Sequence, residues 1–565
     1  MEPSEPGKSQ AGVGRVVLVV PGEQPLDALA TCRAPESSAL VRHRDDSTAF
    51  FTGFDRRPRE HLGVASLAAV LRRAGYVVRM IHCGIEGLST EATVRAIADF
   101  RPDWIGISLS HALQTAGALA VGRYLRYSGV RAHLTLGGPA ASLGHRGCLG
   151  DLEFVDSVIV GEAERSVVRL VDTLAAGGDW ASVAGVASRD GGEVRLAPSD
   201  GVVDLADLPF PERDALTVLK RGGQTSLVAS VYASRAPLPG EAGDDPSFAT
   251  RWRPAEQMVE EIQGLVRDFG ISRISYVDGD FLDDGEQGAR LERFARTLID
   301  RGLRVEITAA AQADSVKPEL LALLSRAGLR HLTLYASPGH DAPERRELVE
   351  RGISACREAG VEIVPAVQLV GVPATAGGMR GGLDFIRRNR LERSPSPFLL
   401  LNRLELVPVD PTSITLRWDC ARDRPIGDEI RLHIDDARTQ ALWHALRTVC
   451  VVVHERAEHQ SSALAICLRR RPAARRDAAS APQGRSLAGL RGWRANLGDL
   501  FLEIVQTACR TLEAAGPEAG LEDESFGDAL LEALWSVVDA YDHRWLGTTF
   551  RELVETAFDA DPVRA

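Results

Sequence analysis

Between residues 15 and 175, short apolar runs alternate with stretches whose apolar residues recur at helical spacing. Arg15–Val20 (RVVLVV) reads as a buried strand. Leu62–Ala74 reads as a helix, with Val64, Leu67, Ala68 and Leu71 on one face and Gly75 to close it. Tyr76–His82 is the next strand, and Thr90 is placed to cap a helix carrying Val94, Ile97 and Phe100, which Pro102 stops. Strand Trp104–Ser108, a helix from about Ala112, strands Ala132–Leu136 and Ser157–Val160, and helix Glu162–Ala175 complete the series. Such alternation predicts a doubly wound parallel, Rossmann-like sheet, which binds ligands at the carboxyl ends of its strands. At those ends stand Ser108-Leu109-Ser110, Gly137-Gly138-Pro139 and Gly161-Glu162-Ala163-Glu164. Glycines there let the backbone approach a large ligand closely, although tight turns alone ask for the same residues.

A hairpin follows at Val183–Leu196, around Asp190-Gly191-Gly192, and a linker at Asp204–Asp214 (DLADLPFPERD). A second series then places strands near 226–232, 273–277, 304–309, 330–335, 362–370 and 397–404, each but the last followed by a helix. This predicts an open, partial (β/α)6 barrel whose functional face is the carboxyl end of its strands. Beyond it come strands at Ser413–Trp418 and Val451–His454, then helices at Leu497–Ala514 and Phe526–Val538, a mainly helical C-terminal region. The expected division is a disordered tail (1–14), a first α/β domain (15–200), the barrel (201–404) and the C-terminal domain (405–565).

Composition narrows the partners. With 44% hydrophobic and 25% charged residues the chain is an ordinary globular one. A net charge of −12 argues against nucleic acid. The basic run Leu468–Arg476 reads as a solvated linker or as a docking patch for an acidic partner. No apolar run long enough to span a bilayer is present, and the N-terminal segment MEPSEPGKSQAGVG lacks the apolar core of a signal peptide, so a cytoplasmic protein with no membrane partner is expected. The eight cysteines are scattered with no CxxC pair, so no metal site can be drawn from them.

Four segments in order, HLGVASLAAVLRRAGY, RPDWIGISLS, LTLGGPAAS and VIVGEAERSVVRLV, are followed by the linker, a strand and the helix start WRPAEQMVEEI. Over roughly residues 55–400 this resembles the cobalamin-binding radical SAM family. The resemblance implies that Ser108, Gly137, Gly138, Gly161 and Glu162 line a pocket for the nucleotide tail of cobalamin. The DxHxxG motif is absent, so no histidine should ligate the cobalt, and His61, His82, His111 and His145 are left to packing or the surface. The family also places three cysteines, CxxxCxxC, in the loop after the first barrel strand to hold a [4Fe–4S] cluster. Here Ser234–Asp245 contains none, and no cluster is expected.

The remaining barrel motifs are mixed. Tyr276-Val277-Asp278-Gly279-Asp280 resembles the acidic strand end that holds the methionine part of S-adenosylmethionine (SAM). Ala336 replaces an acidic residue in the ribose-binding strand and Gln312 an arginine, whereas Asp314 is kept; SAM binding is possible but weakened. Two readings follow. One is a cobalamin-dependent, methyltransferase-like enzyme of a specialised-metabolite pathway, its small-molecule substrate held by Asp278, Asp280, Tyr335 and Arg253 at the barrel mouth. The other is an inactive relative serving as accessory subunit to a cluster-bearing radical SAM protein.

Overall fold

The computed structural model describes residues 14–22, 60–110, 114–223, 227–236, 250–283, 288–335, 343–366, 375–393, 499–514 and 524–541, with a few positions between 418 and 449. The first sheet is built from β1 (Arg15–Val20), α1 (Leu62–Arg73), β2 (Val77–His82), α2 (Cys83–Glu86), α3 (Thr90–Phe100), β3 (Trp104–Ser108), α4 (Thr115–Tyr127) and β4 (His133–Gly137). It continues through α5 (Pro139–Leu143), α6 (His145–Asp151), β5 (Ser157–Ile159), α7 (Glu164–Ala175), β6 (Val186–Asp190) and β7 (Glu193–Leu196). Its order is β2-β1-β3-β4-β5-β6-β7. The first five strands run parallel, as predicted, and the predicted hairpin extends the same sheet as two antiparallel strands. Gly191 and Gly192 sit at φ +60° and +93°, a turn that glycine adopts without penalty.

Strand alternation sorts the core into two layers. Val16, Leu18 and Val20 of β1 pack with Trp104 beneath α1 and α7, contacting Val64, Leu71, Val167 and Leu170. Val17 and Val19 face the other way with Ile105, Ile107, Leu134 and Leu136, against α3 and α4. Helix starts are capped locally: His61 Nδ1 accepts from Val64 N at 3.1 Å, and Ser89 Oγ accepts from Ala92 N at 3.2 Å. The cap of α3 is therefore Ser89, one position earlier than the sequence pattern suggests, and Thr90 is its first helical residue.

After the linker come α8 (Asp214–Arg221), β8 (Ala229–Val231), β9 (Ser234–Arg235), β10 (Arg251–Trp252), α9 (Ala255–Phe269), β11 (Arg273–Tyr276) and α10 (Ala289–Asp300). β8 and β11 pair in parallel, with α9 between them in sequence, and β9 pairs antiparallel with β10. A buried chain of alternating charge ties the linker to these elements. Arg213 bonds Glu60 at 2.5 Å and Glu261 at 2.7 Å, and Arg253 bonds the second oxygen of Glu261 at 2.5 Å.

The described residues up to Ile307 belong to one compact unit, which runs through the expected border at residue 200. Strand β12 (Glu306–Gln312) leads into the second unit, which holds α11 (Pro318–Ala327), β13 (Leu329–Tyr335), α12 (Pro343–Glu358), β14 (Glu362–Ala366) and α13 (Ala376–Arg388). There β13 and β14 pair in parallel, continuing the predicted strand–helix repeat. The sixth predicted strand (397–404) and the strand at Val451–His454 lie outside the described residues. Of Ser413–Trp418 only Trp418 is described, in a two-residue strand with Asp419. Residues 499–514 and Glu524–Tyr541 are helical, as their periodicity predicts. Among the described residues no helix is long and apolar enough to cross a membrane.

Candidate functional site

The carboxyl ends of β3, β4 and β5 open onto a cavity of about 650 Å³ within the first unit. Ser108 ends β3, Gly137 ends β4, and Gly161 and Glu162 follow β5. With Gly138, all five residues expected to contact a cofactor line this one cavity. Tyr232, Ser234, Arg235, Arg251 and Val277 form its far wall, from the start of the second strand series.

The two glycines after β4 have different reasons to be glycine. Gly138 sits at φ +101°, and a Cβ there would stand 2.9 Å from Leu109 O, which is already accepting from Ala140 N and Ala141 N. It is required by the turn itself. Gly137 needs no left-handed backbone, and a Cβ on it would meet nothing within 4 Å. Its missing side chain leaves open room at the cavity floor.

Beside these, Ser108 Oγ, Ser110 Oγ and His61 Nε2 form a triangle with edges of 2.7, 3.0 and 3.1 Å. Since Nδ1 of His61 accepts from the α1 backbone, Nε2 carries the proton in the neutral ring and donates to the serines. His61 thus fills the packing role expected of it and also lines the cavity. A second polar chain crosses the strands: Trp104 Nε1 donates to Thr135 Oγ1 at 2.8 Å, Thr135 meets Ser157 at 2.9 Å, and Ser157 meets His133 at 2.8 Å. Burial holds His133 below its ordinary pKa, against the pull of the nearby Asp156 carboxylate.

Charges at the rim cancel in pairs. Both terminal nitrogens of Arg251 bond Glu162, which also accepts from Val203 N at 3.3 Å. Arg235 bonds Glu164 at 2.6 Å. Burial draws the Arg235 guanidinium down, but Glu164 and Glu162 more than offset that and hold it above its ordinary pKa. The guanidinium groups of Arg235 and Arg253 lie over the Tyr232 ring, 5.0 and 4.7 Å from its centroid. No local pattern marks Tyr232, Arg235 or Arg251 as cavity residues. Only the β9–β10 pairing, set by two residues on each side, brings both arginines to the turn after β5.

The barrel-mouth expectations are corrected in part. Asp278 is buried, and its carboxylate accepts from Ala233 N (2.9 and 3.0 Å), Ser234 N (2.5 Å) and Ser234 Oγ (2.6 Å). It anchors the backbone after β8. Burial lifts its pKa, and the bonds from Ser234 and Ala233 pull it back. Arg253 is buried, bonded to Glu261 and to Tyr232 O. Asp280 is half-buried and accepts from Leu282 N at 3.2 Å. Tyr335 ends β13 in the second unit and is not among the cavity's lining residues.

Of the loop Ser234–Asp245, only Ser234–Ala236 lie within the described residues. Four cysteines are described, Cys83, Cys148, Cys356 and Cys509, all buried thiols whose pKa burial raises, to about 12 for Cys148. Among the described residues no three His, Cys, Asp or Glu side chains are placed to hold a metal ion.

Residues 59–171 match the B12 binding domain family. An uncharacterized methyltransferase of Pyrococcus horikoshii is 23% identical over 332 residues, covering 58% of this chain and 70% of the relative. The hopanoid C-3 methylase of Methylococcus capsulatus is 29% identical over 196 residues, 34% of this chain and 36% of that protein. Among solved structures, the cobalamin-dependent S-adenosylmethionine radical enzyme OxsB, with aqua-cobalamin and S-adenosylmethionine bound, is similar with a TM-score of 0.64 at 13% identity, covering 97% of this chain and 84% of that one. The radical S-adenosylmethionine methyltransferase TsrM from Kitasatospora setae, with cobalamin and a [4Fe–4S] cluster bound, is similar with a TM-score of 0.51 at 15% identity, covering 67% and 74%. Residues 59–171 therefore carry a B12 binding domain, in a chain whose fold is similar to that of these cobalamin-dependent radical SAM enzymes.

Proposed function

We propose that the cavity holds cobalamin and that the chain is a methyltransferase-like enzyme working without an iron–sulfur cluster. The observation that carries this reading is the convergence of Ser108, Gly137, Gly138, Gly161 and Glu162 on one cavity at the carboxyl ends of the sheet. The residues present fit such a group. Gly137 leaves open room, and the rim charges are neutralised in pairs. Bound cobalamin supplies a cobalt centre able to carry a carbon group between a donor and an acceptor.

The protein's part is binding and orientation. His61 aligns the Ser108 and Ser110 hydroxyls, and Arg251 holds Glu162 at the rim. Both nitrogens of His61 are engaged, so it is a positioning residue and not a cobalt ligand. A cluster has no thiolates to hold it between Ser234 and Asp245, so SAM enters this reading as a methyl donor and not as a source of radicals. Asp280 is the polar group assigned to the small-molecule substrate, in a specialised-metabolite pathway.

The accessory-subunit reading draws on Asp278 and Arg253, two polar groups consumed by internal bonds. The deciding assay gives the cobalamin-loaded chain methyl-labelled SAM and candidate acceptors, alone and with a cluster-bearing homologue. Label transfer by the chain alone, without 5′-deoxyadenosine, is the expected outcome. Release of 5′-deoxyadenosine by the chain alone overturns the mechanism, and transfer only with the homologue assigns the accessory role.

A further inference from the structure

One end of the cavity is apolar. Leu18, Val64, Leu67, Trp104, Ile159 and Val167 line it, and the same residues pack together beneath α1 and α7. The indole N–H in that wall is already used, donated to Thr135. One hydroxyl remains. Ser66 on α1 is 3% exposed, lines the cavity, and its Oγ has no hydrogen-bond partner in the protein.

A buried hydroxyl left alone is destabilising, and a helical serine commonly turns back to the carbonyl one turn earlier. Ser66 makes no such bond, in a wall otherwise built for flat apolar surface. Such a slot suits a heteroaromatic ring that carries one acceptor nitrogen. The base of a corrinoid nucleotide tail, when not bound to cobalt, has that chemistry: two apolar faces and an unprotonated ring nitrogen.

Resting on the cofactor reading above, we propose that Ser66 is a specificity-determining residue for the lower base of the cobamide. Its hydroxyl donates to the ring nitrogen of a benzimidazole or purine base and has nothing to donate to in a phenolic one. The chain therefore selects among cobamides by their tails.

Equilibrium dialysis with cobalamin, p-cresolyl cobamide and cobinamide, which lacks the nucleotide, tests this on wild type and Ser66→Ala. Wild type should bind cobalamin roughly tenfold more tightly than p-cresolyl cobamide. Ser66→Ala should lose that factor for cobalamin alone, with unchanged affinity for the other two ligands, which also shows that the variant is folded. An unchanged preference in Ser66→Ala, or equal losses for all three ligands, overturns the proposal and leaves the cofactor reading standing. Wild type that binds none of the three overturns both.

Discussion

At the scale of single residues, the two adjacent glycines give the cleanest test of what the cavity is for. Gly138 is held by its backbone, so any side chain there strains the turn whether or not a ligand binds. Gly137 is free of that constraint. Gly137→Leu should leave the urea midpoint close to wild type while reducing cobalamin retention on gel filtration at least tenfold, whereas Gly138→Val should lower the midpoint itself. Asp278 gives a second test. Asparagine would present an N–H₂ toward donors that the carboxylate now accepts, and a lost bond to a buried charged group costs about 1.5–3 kcal/mol. Asp278→Asn should therefore appear first in denaturant unfolding, as a stability loss of that size. The strand-end positions of Ser108, Gly137, Gly138 and Gly161 were legible from the apolar runs that precede them, whereas their grouping with Glu162 around one ligand came from the family resemblance. Ser66 and Tyr232 were not legible, because a small or aromatic residue in an apolar stretch reads as core until the packing shows which face meets the opening.

Among elements, periodicity carried most of the fold. β1, α1, β2, β3 and α7 lie within two residues of their predicted limits. The helices α2, α5 and α6 were missed because four to seven residues are too short to show a 3.6-residue period. Glu162 lies two residues ahead of α7 and not inside it, which is what frees it to meet Arg251. The role of the linker was equally hidden: Arg213 in DLPFPERD looks like a solvated charge, yet it joins Glu60 beside the cavity to Glu261 on α9. Removing it leaves the buried Glu60 without its ion-pair partner and Glu261 with Arg253 alone, and breaking a buried pair in this way costs about 3–5 kcal/mol. Arg213→Met should lose about that much stability by urea titration. A loss under 1 kcal/mol would show that the chain of charges contributes little to joining the linker to α9.

For the molecule as a whole, the matched domain and the cavity make cobalamin the central claim, and the cysteine-free loop makes it a claim about chemistry as well. The domain organisation was only partly legible. The linker composition suggests a border near residue 200, but the Glu60–Arg213–Glu261 chain and the Arg235 and Arg251 pairs with the glutamates after β5 weld that border shut. Long-range ion pairs of this kind leave no local pattern in a sequence. The measurement that bears most directly on the account is the cobalt and iron content per chain, by elemental mass spectrometry, of protein made and reconstituted anaerobically with hydroxocobalamin, iron and sulfide and then desalted. The account predicts about one cobalt and no stoichiometric iron. A preparation without cobalt, or one carrying about four irons per chain as a [4Fe–4S] cluster requires, would contradict it.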